Sequence, residues 1–242
     1  MVDPPEREKL KALLDELRLP CGNDTGQGTP VGLARTLDPP YERGPAAYVV
    51  RCSCDPGPNG AGGQTVVDHI RLFPVREGVR WTYAVHEQIL PALRGANVPV
   101  RWTDVTVRHT GYTDPALRER KLQRDRKILE AELAERPDDP FVLFNLGSIA
   151  VERQDWTTAL GHLHRSLRGS AASDSIVRKL YALIARCHQM LGDLPAALNA
   201  CSEGLRIDPD DAEIHFRKAG LHRRAGQPAE AEACWRRILT LG

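Results

Sequence analysis

An excess of charge of either sign is missing from this chain. Lys and Arg number 33 against 32 Asp and Glu, which leaves no field strong enough to imply nucleic acid or an acidic membrane surface as partner. Also missing is any run of about 18 apolar residues, the length needed to cross a bilayer. The first residues, Met1 to Leu17, lack a basic stretch followed by an apolar one and do not read as a signal peptide. Six cysteines are too few and too scattered for a disulfide framework. Cys52 and Cys54 stand two apart with no second pair at finger spacing, so a zinc site is not expected and the thiols read as reduced ones in a cytoplasmic protein. Gly26-Gln27-Gly28 has no strand before it and no Lys-Ser/Thr after it, which excludes a phosphate loop.

What the chain does have is enough length and enough apolar residues for a core. Its 242 residues, 41% hydrophobic, suit one large domain or two small ones. Leu10, Leu13, Leu14 and Leu17 recur at helical spacing behind Asp3, Pro4 and Pro5, which predicts a helix over 3–18. Residues 21–46 are rich in Gly, Pro, Asn and Asp and read as loop. β-Branched and aromatic residues predict strands over 47–52, 65–73, 79–85 and 98–109, with a shift of register near Asp104 in the last. A short helix over 87–93, interrupted near Pro91, separates the last two strands. At Asp114 the apolar period changes from 2 to 3.6. Asp114 with Pro115 behind it starts a long charged helix to about Ala134.

From residue 140 onward the sequence repeats itself. Ala159, Ala197 and Ala231 occupy equivalent places in Asp155-Trp156-Thr157-Thr158-Ala159-Leu160, Asp193-Leu194-Pro195-Ala196-Ala197-Leu198 and Gln227-Pro228-Ala229-Glu230-Ala231-Glu232. Two of these alanines lie 34 residues apart and two lie 38 apart, with Gly169–Ser173 absorbing the extra four. Asn145-Leu146-Gly147, Ile184-Ala185 and Ala219 fit the first helix of each unit, and Pro209 closes the second unit. This resembles the tetratricopeptide repeat, a helix pair with a period of about 34 residues. Three units are expected, and the helix ending in Glu135-Arg136-Pro137 resembles half of an earlier one. Stacked pairs form a superhelix with a concave surface, so a peptide or protein partner is expected there. Equally, the repeats could only buttress the domain before them or mediate self-association. Lys179, Lys218 and Asn145 are scattered and make no clamp for a chain terminus. His162 and His164, two apart on a helix, read as solvated residues.

The remaining candidates for chemistry lie in residues 65–112. His86 and Glu87 sit where a strand is expected to give way to a helix, a place that often carries function. There Glu87 is either a general base with His86 beside it or merely a charge on the first turn of a helix. The order of motifs matters as well: VDHIRLFP, then Trp81 and Tyr83 before VHEQILPAL, then WTDV and HTGY, then ERPDDPF and LFNLG. It resembles bacterial family 2 glycosyltransferases that carry C-terminal tetratricopeptide repeats.

That resemblance implies an α/β remnant, the C-terminal part of a GT-A sheet, followed by an all-α repeat solenoid. It implies a partial transferase domain over 1–112, a connecting helix over 113–138 and repeats over 139–242. Such an enzyme inverts the sugar it moves from a nucleotide-sugar to an acceptor hydroxyl on a glycan or protein, with Mg2+ or Mn2+. Carried over, Glu87 would be the base and His86 its neighbour. Asp68 and Arg71 would bind substrate, and His109 would be a metal ligand. The family's nucleotide-binding half and its Asp-x-Asp motif have no counterpart here, so the chain would begin just past the metal-binding loop. The non-catalytic alternative is a repeat module that binds other proteins. Trp81, Tyr83 and Trp102 read as core packing, with stacking on a sugar as the other use.

Overall fold

A computed structural model describes residues 4–18, 45–54, 65–109 and 115–241. The chain divides into two compact units, Met1–Thr82 with Glu87–Arg118, and Tyr83–His86 with Glu119–Gly242.

The first unit is built on a three-stranded sheet. β1 (Ala47–Cys54) lies in the middle, antiparallel to β2 (Thr65–Leu72) and parallel to β3 (Val100–His109), in the order β2-β1-β3. A central strand is covered on both faces, and β1 accordingly buries Ala47, Tyr48, Val49, Val50 and Cys52. On one face the short helix α2 (Leu90–Gly95) seals Ala47 with Leu93, Ile89, Val79 and Val98. On the other, Leu10 of α1 (Pro4–Arg18) closes over Val50, Cys52 and Val105.

The register slip expected near Asp104 is present, and its physical use is visible. Val49 pairs with Trp102 but Arg51 with Thr106, so Thr103, Asp104 and Val105 together stand opposite Val50. Groups freed by this bulge find other partners. The Thr103 hydroxyl donates to the Val49 carbonyl at 2.8 Å, and the Thr106 amide donates to Glu6 of α1 at 2.6 Å. Lys9 reaches Asp104 at 3.1 Å. The bulge thereby docks α1 on the sheet.

Residues 79–85 differ from the expected third strand. They join no ladder. Thr82 and Gln88 form an isolated bridge, exchanging two backbone hydrogen bonds of 2.8 Å. Between them, Tyr83 and His86 adopt positive φ of 66° and 57°, which a strand cannot accommodate. The helix expected at 87 starts three residues later, at Leu90, and Pro91 sits in its first turn rather than interrupting it. A three-stranded sheet in this order does not by itself identify a GT-A domain.

The second unit is a helical repeat solenoid. α3 (Pro115–Glu135) precedes three pairs: α4 (Pro140–Glu152) with α5 (Trp156–Gly169), α6 (Val177–Met190) with α7 (Leu194–Ile207), and α8 (Ala212–Arg224) with α9 (Pro228–Leu239). Asp139, Asp155, Asp193 and Asp211 accept backbone N–H bonds as the N-caps of α4, α5, α7 and α8. Small residues make the pairs possible. Ala159, Ala185, Ala197, Ala219 and Ser166 are fully buried. A Cβ on Gly147 would come within 2.7 Å of Leu163, and one on Gly204 within 2.6 Å of Ile214 and 2.9 Å of Tyr181. The turn inside each pair needs a left-handed residue, supplied at equivalent places by Gln154, Gly192 and Gly226 (φ 60°, 83° and 73°). Among the described residues no helix is long and apolar enough to cross a membrane.

Candidate functional site

His86 and Glu87 are both exposed, in the loop closed by the Thr82–Gln88 bridge rather than at a strand-to-helix junction. They are neighbours in sequence, yet His86 belongs to the second unit and Glu87 to the first. Asp68 and Arg71 are exposed on β2, three residues apart and so on opposite faces of the strand. Asp68 lies 3.9 Å from Arg51 across the ladder, the pairing its register dictates. His109 ends β3 with its backbone paired to Cys54, while its side chain lies outside the described residues. No group of three or more His, Cys, Asp or Glu side chains that could hold a metal occurs among the described residues. Trp81 is partly exposed, edge-on to Phe73 at 5.4 Å, and Trp102 is 71% exposed.

Two features of the second unit offer surfaces instead. The first is the line of first helices. α4 packs on α6 and α6 on α8, whereas α5, α7 and α9 do not pack on one another to a comparable extent. A stack that closes up along its first helices curves toward them, making them its inner wall. On these helices exposed or half-buried residues recur at helical spacing: Phe144 and Ser148 on α4; Lys179, Arg186 and Met190 on α6; Glu213, Phe216, Gly220 and Arg223 on α8. Phe216 is 68% and Met190 51% exposed. The Arg186 guanidinium lies 5.8 Å from the Trp156 ring, which holds a long side chain in place by a cation–π contact. The wall is thus cationic along α6, with an apolar residue on each of its last two helices. Asn145, a candidate clamp residue by type, is buried and donates to the Phe141 carbonyl.

The second feature is the four-residue clasp Tyr83–His86, of which the sequence pattern assigned Tyr83, Ala84 and Val85 to a strand. The Tyr83 ring packs 4.5 Å from Phe141 and lies under Arg136, whose guanidinium is 4.8 Å from its centre. Its hydroxyl donates to Asp139 Oδ2 at 3.2 Å, while Oδ1 of the same carboxylate caps α4. Burial, with Asp139 close by, pushes the Tyr83 hydroxyl above its usual pKa. The Ala84 amide donates to Glu132 Oε1 at 3.3 Å, and Arg136 also bonds that oxygen; Oε2 is buried without a donor. Val85 is buried among Leu129, Val142, Leu146 and Ile149. Burying a valine is worth about 1.5–3 kcal/mol. Each left-handed residue costs about 1–3 kcal/mol, so neither Val85 nor Tyr83 alone holds the clasp. Their contacts act together.

Burial sets the titration of several groups in the second unit. His162 and His164 are half-buried rather than solvated, and burial lowers both pKa values. His164 sits 6.1 Å from the His188 ring. Burial pushes the Cys187 and Cys201 thiols up to about 11, the mark of packing residues rather than nucleophiles. The five cysteines among the described residues form no disulfide.

No protein-family model matches the chain. It is 30% identical over 152 residues to a TPR repeat-containing protein of Synechococcus elongatus, an alignment that takes in 60% of this chain and 37% of that protein. The chain thus spans little more than a third of the curated relative it matches. Among solved structures, a MamA fragment from Desulfovibrio magneticus RS-1 superposes with a TM-score of 0.47 at 16% identity, covering 51% of this chain and 68% of that one. A crystal structure of MamA gives 0.45 at 14%, covering 54% and 75%. The sequence match runs to a protein described by its repeats, not to a sugar transferase. The glycosyltransferase reading is therefore corrected: the repeat-module alternative fits the chain.

Proposed function

We propose that this chain is a protein–protein interaction module, in which the inner wall of the solenoid, α4, α6 and α8, receives a peptide or a protein segment. The observation that carries the reading is a pair of exposed apolar side chains, Met190 on α6 and Phe216 on α8, on the same wall as Lys179, Arg186 and Arg223. About two thirds of Phe216 and half of Met190 stay exposed, and apolar groups on a concave, cationic wall are of the kind partners bury. The description of the Synechococcus elongatus relative as a TPR repeat-containing protein supports the same reading. Lys179, Arg186 and Arg223 favour a partner with carboxylates spaced around an apolar anchor.

Panning a displayed peptide library against the full chain tests this. Enriched peptides should carry acidic residues. They should bind the wild type and lose at least tenfold in affinity on Arg186→Glu or Phe216→Asp. Leu239→Ser, on α9 away from the wall, should leave binding unchanged. Failure to enrich any peptide, or peptides indifferent to both wall substitutions, rejects the proposal.

A further inference from the structure

The inner wall does not account for the clasp. In the three complete pairs, a first helix lies against the second helix of its own pair. α3 resembles a second helix whose first helix is missing, and its apolar stripe, Leu122, Ile128, Leu129 and Leu133, needs a cover. Tyr83 and Val85 supply that cover together with Val142, Leu146 and Ile149 of α4. The contacts have the form of peptide recognition rather than of helix packing. Two side chains two residues apart act as anchors: Tyr83 on Phe141 under Arg136, and Val85 among Leu129, Val142, Leu146 and Ile149. Between them one backbone amide is captured by a half-buried carboxylate, Glu132. The Tyr83 hydroxyl is read by Asp139. Left-handed residues at both ends, Tyr83 and His86, turn the chain into and out of the cleft.

We propose that the cleft between α3 and α4 is a second peptide site, specific for a short aromatic-x-aliphatic segment and filled in cis by Tyr83–His86. Its readers are Arg136, Asp139 and Phe141 for the aromatic residue, Glu132 for the backbone amide, and Leu129, Val142 and Leu146 for the aliphatic one. A tethered segment competes at an effective concentration in the millimolar range, so the cis ligand excludes ordinary trans peptides. A trans segment of the same pattern enters only when the clasp is weakened. This site is distinct from the inner wall. It stands or falls separately, because Arg186 and Phe216 take no part in it.

A fluorescein-labelled peptide with the sequence of residues 81–88, Trp-Thr-Tyr-Ala-Val-His-Glu-Gln, tests the site by anisotropy on the full chain. The Val85→Asp protein should bind it at least tenfold more tightly than the wild type does. The same peptide with aspartate in place of its valine should not bind, and bound peptide should slow amide exchange in α3 and α4 of the variant. Tyr83→Ala provides the same comparison if Val85→Asp loses its helical circular dichroism. Equal binding to wild type and variant, or no binding to a variant that keeps its helices, overturns the proposal. So does loss of helix in both variants, which would make the segment part of the fold rather than a ligand of it.

Discussion

At the scale of single residues, the solenoid is governed by where a side chain is not allowed. Gly204 and Gly220 make the contrast. A Cβ at Gly204 meets Ile214 and Tyr181, the latter at its inflexible Cβ, whereas nothing lies within 4 Å of one at Gly220. Gly204→Ala should therefore destabilise the repeats by about 1–3 kcal/mol through overpacking. Gly220→Ala, in mid-helix, should stabilise them by up to about 1 kcal/mol. Urea midpoints of the two variants, moving in opposite directions, would verify the pair. Gln154 offers a third test. It takes the left-handed turn that Gly192 and Gly226 fill elsewhere, and a side chain there is strained. Gln154→Gly should raise the melting temperature slightly. An unchanged or lower value would show that the first turn is not under strain.

At the scale of elements, α1 is attached by few groups, and one of them titrates. The Glu6 carboxylate accepts from the Thr106 amide, with Lys9 also beside it, and the amide bond first of all holds its pKa below 4.5. A carboxylate with a lowered folded pKa stabilises the folded form above its unfolded value, and that contribution disappears as pH falls through the folded one. Amide protection in α1 should thus decline below about pH 4.5, following the unfolded carboxylate, before α6 and α7 are affected. Glu6→Gln should flatten the dependence. Hydrogen exchange between pH 3 and 6 would read both; equal pH profiles for wild type and variant would refute the assignment. The short segment 79–88 carries the main lesson about legibility. Trp81, Tyr83 and Val85 alternate like a strand, and alternation was the signal that favoured one. What prevents a strand is the burial of Val85 and the Tyr83 ring among side chains of α3 and α4, more than 30 residues downstream. Local periodicity has no access to partners at that separation.

Within the solenoid as a whole, stability should follow position in the stack. In a stack each pair is supported only by its neighbours. α6 buries Val177, Leu180, Ala182, Ile184, Ala185 and Cys187, whereas α9 buries Ala231 alone and leaves Leu239 exposed. Native-state hydrogen exchange should therefore find α9 opening first and α6 among the last elements to exchange. Uniform protection from α4 to α9 would contradict a nearest-neighbour stack.

Much of this architecture was already determined by the sequence. The repeats were legible because each depends on a few small residues, Ala159, Ala197 and Ala231, at a spacing that helix geometry makes compulsory. The two flanking strands, the register slip at Asp104 and the long charged helix followed from local patterns for the same reason: their causes lie within about ten residues. The candidate chemistry at His86, Glu87, Asp68, Arg71 and His109 was a matter of order along the chain. Order does not bring side chains together. Only the tertiary structure could decide that His86 and Glu87 fall in different units, that Asp68 and Arg71 face apart, and that Tyr83 and Val85 serve the cleft of α3 and α4. Convergence of distant groups depends on which apolar surfaces find each other, and that is settled by long-range burial rather than by any pattern in neighbouring residues.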